Sequence, residues 1–113
     1  MSQSPEAVGI AVTAQSLLGS QPVKFVFLAD TTNTRSKELP LRPPSGTTST
    51  FIALQGFTMG YTDEDYELQA IQVDLSVSDQ TALCIATLRD RNDDHGIGRK
   101  WQGTFDGLVT FFG

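Results

Sequence analysis

Apolar and polar residues alternate along most of this chain, most regularly where Ile71, Val73, Leu75 and Val77 are interleaved with Gln72, Asp74, Ser76 and Ser78. A period of two puts successive side chains on opposite faces and marks an antiparallel strand with one dry and one wet side. The same pattern predicts a strand through Val8, Ile10, Val12 and Ala14, and another over residues 23–29 with Val23, Phe25 and Phe27 inward. Gly19-Ser20-Gln21-Pro22 between them is turn chemistry. Past Thr50, Phe51, Ala53, Gln55, Phe57, Met59 and Tyr61 fall on one face of a further strand, and Ile52, Leu54, Gly56, Thr58 and Gly60 on the other. Apolar residues on both faces fit a central strand better than an edge, and the glycines are candidate bulge positions.

Ser78-Asp79-Gln80 reads as a turn into a strand over 81–88, and two runs, 101–105 and 108–112, supply the last strands. Asp106-Gly107 between those runs is either a hairpin turn or a bulge in one continuous strand. From 30 to 49 the composition shifts to Thr, Asn, Ser, Pro and Gly, with residues 39–41 alone apolar enough for a short strand. So long a loop in a small domain is a functional segment or an arm reaching another subunit. Only 14–18 and 63–68 carry a weak helical pattern, the second at most one turn. The fold class expected is all-β: an antiparallel β-sandwich, jelly-roll-like, of about seven or eight short strands.

A chain of 113 residues, 39% hydrophobic and 19% charged, is one domain's worth and can bury a core without disulfide or metal staples. One domain over 1–113 is therefore expected, with residues 1–6 as a flexible lead-in. The net charge of −5 opposes binding to a nucleic acid backbone or an anionic membrane surface. Neither nucleic acid nor membrane insertion is expected, since no apolar stretch approaches the roughly 18 residues of a span. No signal peptide pattern opens the chain, so the expected location is the cytoplasm, or a particle released by lysis. Cys84, the single cysteine, lies in the apolar run 82–86 and reads as a small core residue.

Two acidic segments carry the most distinctive chemistry: Asp63-Glu64-Asp65-Tyr66-Glu67 and Asp90-Arg91-Asn92-Asp93-Asp94-His95-Gly96. Asp90, Asn92 and Asp94 place oxygens at the first, third and fifth positions of a calcium loop. His95 stands where an EF-hand needs glycine and Trp101 where it needs glutamate, so that motif is excluded. A different calcium site, completed by Asp63, Glu64 or Asp65, requires the two segments to meet at one end of the sandwich. The bland alternative is a pair of solvated turns. His95 is the only histidine, too little for a zinc site, and no Gly-x-Ser-x-Gly elbow marks a nucleophile. Loop carboxylates from Asp63, Glu67, Asp93 and Asp94 leave a small hydrolase as a secondary reading. Gly96-Ile97-Gly98 lacks the third glycine of a nucleotide fingerprint.

Tyr61, Tyr66 and Trp101 border these segments, and rings beside carboxylates are how proteins stack on and hydrogen-bond sugars or cationic groups. With Tyr61, Asp63, Asp65, Tyr66, His95 and Trp101 as candidate ligand contacts, the leading reading is a non-enzymatic binding or assembly module that takes a glycan or protein partner. Trp101 has a competing role, packing inward at the start of the last strand. Phe111-Phe112 at the carboxyl end points one ring to the core and one outward, which favours a homo-oligomer. Small H-type lectins and the jelly-roll modules of phage particles and contractile injection machines are similar in size and architecture, without a motif that matches residue by residue. The second reading is accordingly a structural component of such a particle, with 30–49 as its arm.

Overall fold

A computed structural model describes residues 15–62, 68–90 and 100–113. Within them the chain forms six strands and no helix: β1 (Leu17–Asp30), β2 (Thr34–Pro40), β3 (Ser49–Tyr61), β4 (Leu68–Ser78), β5 (Thr81–Asp90) and β6 (Trp101–Phe112). They make two antiparallel three-stranded sheets, ordered β1-β6-β3 and β2-β5-β4. The all-β, antiparallel, sandwich-like expectation therefore holds. The expected count of seven or eight strands falls to six among the described residues; the strand expected through Val8–Ala14 lies outside them. No helix there is long and apolar enough to cross a membrane.

The core is built by setting large side chains of one sheet against small ones of the other. Phe25, Phe27, Trp101, Phe105 and Phe111 from β1 and β6 are buried, and β5 answers with Ala82, Cys84 and Ala86. Rings fill the depth that these short side chains leave, which is how close packing is reached between sheets about 10 Å apart. The Phe27 ring meets Phe105 edge-on at 5.6 Å, and Phe57 stacks on Phe105 at 5.7 Å.

Several local expectations are corrected. Gly19-Ser20-Gln21-Pro22 is not a turn but part of β1, where Pro22 lies opposite Leu108. Proline is tolerated there because β1 is a sheet edge and needs only one side of its backbone. Leu17 and Leu18 begin β1 and form no helical turn. The 30–49 segment is less loop than expected, since β2 occupies seven of its residues. Its remainder closes on a turn in which Thr47 N–H donates to Pro44 O at 3.2 Å and Gly46 takes φ +90°. Leu41 is buried, and its N–H donates to Gln80 O at 2.7 Å.

β3 is an edge strand, not a central one; β6 holds the middle of that sheet. Its two-faced apolarity has another source. A register shift between Leu54 and Gly56 leaves Gln55 as an extra residue and flips the alternation. Ile52 and Leu54 face the core before the bulge and Phe57, Met59 and Tyr61 after it, as their partners Val109, Gly107, Phe105, Gly103 and Trp101 show. Phe51 consequently points outward and packs edge-on against Phe112 at 5.8 Å. β6 is continuous through Asp106 and Gly107, with buried and half-exposed positions alternating along its whole length. The 106–107 hairpin is thereby overturned, and the bulge belongs to β3 instead.

The turn at 79–80 is where the alternation predicts it, with Asp79 at φ +52°, a conformation Asp tolerates better than most residues. Cys84 is fully buried, and that burial, reinforced by Asp74, pushes its thiol up from 9.0 to about 11. A folded-state value above the unfolded one disfavours the thiolate in the native state. Stability is thus unaffected below pH 9 and falls as pH rises from 9 towards 11, by about 1.4 kcal/mol at pH 10. Urea unfolding of wild type and Cys84→Ala at pH 8 and pH 10 checks this. The wild type should lose more between the two pH values than the variant does; equal losses would place the thiol in contact with solvent.

Candidate functional site

At one end of the sandwich the strand ends that flank the acidic segments are register neighbours. Tyr61, the last residue of β3, pairs with Trp101, the first of β6, and Leu68 of β4 pairs with Asp90 of β5. Thr62 N–H donates to Lys100 O at 3.0 Å, tying the root of one acidic segment to the root of the other. Asp30 of β1 also lies opposite Trp101, so the short β1–β2 connection shares this end. The strand ends that flank the two acidic segments thus lie at the same end of the sandwich.

Beneath these roots lies a cation-aromatic stack that sequence reading did not reveal. The Arg35 guanidinium sits over the Trp101 ring at 3.9 Å and beside Phe27 at 5.3 Å. One of its amino groups donates to Trp101 O at 2.8 Å and the other to Leu28 O. Burial holds the guanidinium below its ordinary pKa, with Asp30 acting in the opposite sense, and arginine stays charged regardless. Its Nε is buried with no hydrogen-bond partner among the described residues. The Trp101 indole N–H in turn donates to Thr32 O at 2.8 Å. Charge over an aromatic face in a partly dry site contributes about 1–2 kcal/mol. The stack fixes β1, β2 and β6 to one another where the acidic segments depart.

Arg35 reaches this position because β2 turns it inward, opposite Ala86, whose short side chain leaves room for the stem. Lys37, two residues on and opposite Cys84, likewise crosses to donate to Val26 O at 3.1 Å. Alternation places both on one face of β2, yet only the third dimension shows that this face is the inner one. A polar strand of composition Thr-Arg-Ser-Lys-Glu-Leu-Pro carries no burial signal of its own.

Of the candidate ligand contacts, the structure brings Tyr61 and Trp101 together as direct neighbours. Tyr61 is half-buried, and Trp101 is completely covered, taking the inward role. Its ring supports the roots of the acidic segments from below. Asp90 closes β5 at this same end. Asp63, Asp65, Tyr66, Asn92, Asp94 and His95 lie outside the described residues. Among the described residues no three of His, Cys, Asp and Glu converge on a common point.

Two open grooves flank β1 here, one of about 500 Å³ running from Val26 to Lys37 past Arg35, the other of about 350 Å³ between Leu28, Tyr61 and Gln102. A larger concavity, about 950 Å³, lies at the opposite end between the 43–48 turn and Asp79-Gln80. Its walls are Pro, Ser, Thr and Gly with Val77 and Asp79, so it presents no ring to stack on and no cation. The chain matches no protein-family model, no curated protein and no solved structure.

Proposed function

We propose that this protein is a non-enzymatic binding or assembly module, a homo-oligomeric β-sandwich that contacts a glycan or protein through its 61–67 and 90–101 segments. The reading rests on one observation, the juxtaposition of the two segment roots through Tyr61–Trp101, Leu68–Asp90 and the Thr62–Lys100 hydrogen bond. Two acidic connections that spring from neighbouring strand ends can act on one ligand, as loops on a rigid scaffold commonly do. Asp63, Asp65, Tyr66 and His95 supply carboxylate, phenol and imidazole groups for hydrogen bonding, with Tyr61 at their base. Trp101 acts as their support and does not touch the ligand.

Screening the protein on a glycan array with and without millimolar calcium tests the sugar version, and a double variant Asp63→Asn/Asp94→Asn should lose at least tenfold in any binding found. A ligand that binds only the folded state must raise Tm, by an amount that grows with its concentration. If calcium bridges Asp90, Asn92 and Asp94 with the 63–65 carboxylates, Tm rises in millimolar calcium and the double variant abolishes the rise. No shift removes the metal from the proposal. Silence on the array under both conditions removes the glycan and leaves a protein ligand, to be sought by cross-linking through Lys100.

A further inference from the structure

The two lateral sides of the sandwich differ in how well their core-facing residues are covered. On the β1/β2 side, Arg35 and Lys37 cap the carbonyls of Leu28 and Val26, and Gln21 bridges to Pro40 O at 3.2 Å and to Arg42 N–H at 2.9 Å. On the β3/β4 side, three residues that face the core are left uncovered. Leu54 is 40% exposed, Phe57 45% and Ile71 43%, although their register partners Gly107, Phe105 and Leu88 are buried.

The edge strands differ in the same sense. Natural sheets protect their edges with proline, inward charges and lysine, because a free edge invites another strand. β1 has Pro22 and Lys24, β2 has Arg35, Lys37 and Pro40, and β4 has Asp74. β3 is 13 residues long and contains no proline and no charged residue; its only irregularity is the bulge at Gln55. We infer that a second copy of this chain docks along β3, antiparallel to its counterpart about a two-fold axis, joining two three-stranded sheets into one of six strands. This deepens the homo-oligomeric part of the function proposed above and rests on it.

A second copy suits this edge for two reasons. In an isologous contact each element meets itself, so a charged strand would set like charges against one another. β3, uncharged throughout, faces itself in any antiparallel register without that penalty, even though each copy carries a net charge of −5. The area is also sufficient. Thirteen residues at about 3.3 Å each give a strip of about 43 Å, and two stacked sheets with their side chains are about 20 Å deep. That is roughly 800 Å² per copy, the size of a standard specific interface. Leu54, Phe57 and Ile71 lie within it and become covered.

Light scattering after size exclusion tests the inference. Wild type should elute at twice the 12.3 kDa chain mass. The double variant Gln55→Lys/Thr58→Lys, at two exposed positions of β3, should halve that mass with an unchanged far-ultraviolet circular dichroism spectrum, while Ser36→Lys on β2 should leave it intact. A wild-type dimer that the β3 variant does not disturb overturns this interface and leaves the oligomeric reading standing. A wild-type monomer at millimolar concentration overturns both, and leaves ligand binding at the Tyr61 end to its own test. Hydrogen exchange guards against a variant that merely unfolds: β3 amides of wild type should exchange at least tenfold faster on dilution below the dissociation constant. Protection of β3 that is independent of concentration means that the edge is covered by something other than a second copy, and sinks the inference.

Discussion

Truncating Trp101 to alanine is expected to cost the fold about 3–5 kcal/mol, the range for removing a fully buried large side chain. The ring has no exposed surface, packs 5.9 Å from Phe27, carries the Arg35 guanidinium on its face and donates its N–H to Thr32 O. Each of these is lost together, and Arg35 is left charged in a half-buried position without the ring that covers it. Against a total stability of about 5–15 kcal/mol, the variant should melt more than roughly 10 °C below wild type. Trp101→Phe separates the contributions: it keeps a ring and loses the N–H bond, for about 1–2 kcal/mol. Combining Trp101→Phe and Trp101→Ala with Arg35→Met in double-mutant cycles should give a coupling near 1 kcal/mol for alanine and less for phenylalanine. Circular dichroism must follow the unfolding, because Trp101 is the only tryptophan. A loss under 1 kcal/mol for the alanine variant would show that this end of the sandwich is not held by the stack, and the scaffold argument for the acidic segments would go with it.

What the alternation of residues could reveal divides along a physical line. A strand with one wet face announces itself, which is why β4, the inner residues Val23, Phe25 and Phe27 of β1, and the 79–80 turn were all legible. A strand edge does not. Pro22 reads as a turn residue because proline lacks a donor, and only the position of β1 at a sheet edge makes that lack harmless. The bulge at Gln55 inverts the inside and outside of β3 halfway along, and a strict two-residue count carried across it puts Phe51 and Phe57 on one face when they lie on opposite ones. That the strand ends flanking the two acidic segments share one end depends on which strands neighbour which, information that no local pattern holds. Arg35 was unreadable for a related reason: its burial is created by Trp101 and Phe27, 66 and 8 residues away in the chain. The side chains of most candidate ligand contacts stand on 63–67 and 91–99, outside the described residues, so the site is legible in the structure only at its roots.

Gly107 offers the sharpest test of where the last strand runs, and the second large effect. In β6 it points inward, and a Cβ built there would meet Ala53 O and Val23 Cγ2 at 3.2 Å each, with Leu75 Cδ1 at 3.6 Å. Gly107→Val places three carbons in that space and should destabilise by about 3 kcal/mol, the upper part of the range for overpacking a filled core. The gain in strand propensity, at most about 1 kcal/mol, does not offset it. A turn glycine would respond otherwise. Were Asp106-Gly107 the tip of a hairpin, Gly107→Asn would be nearly neutral, because asparagine accepts positive φ; among the described glycines only Gly46 takes such an angle. In a buried strand position the same change inserts an unpartnered amide and costs about 1–3 kcal/mol beyond the crowding. Gly60, in the neighbouring β3, has nothing within 4 Å of a Cβ, so Gly60→Val should be neutral or stabilising. Urea midpoints for the three variants therefore fall in a set order, with Gly60→Val at or above wild type and both Gly107 variants well below. If Gly107→Asn instead unfolds at the wild-type midpoint, residue 107 stands at a turn, β6 is two strands, and the pairing of β3 with β6 that aligns Tyr61 with Trp101 loses its basis.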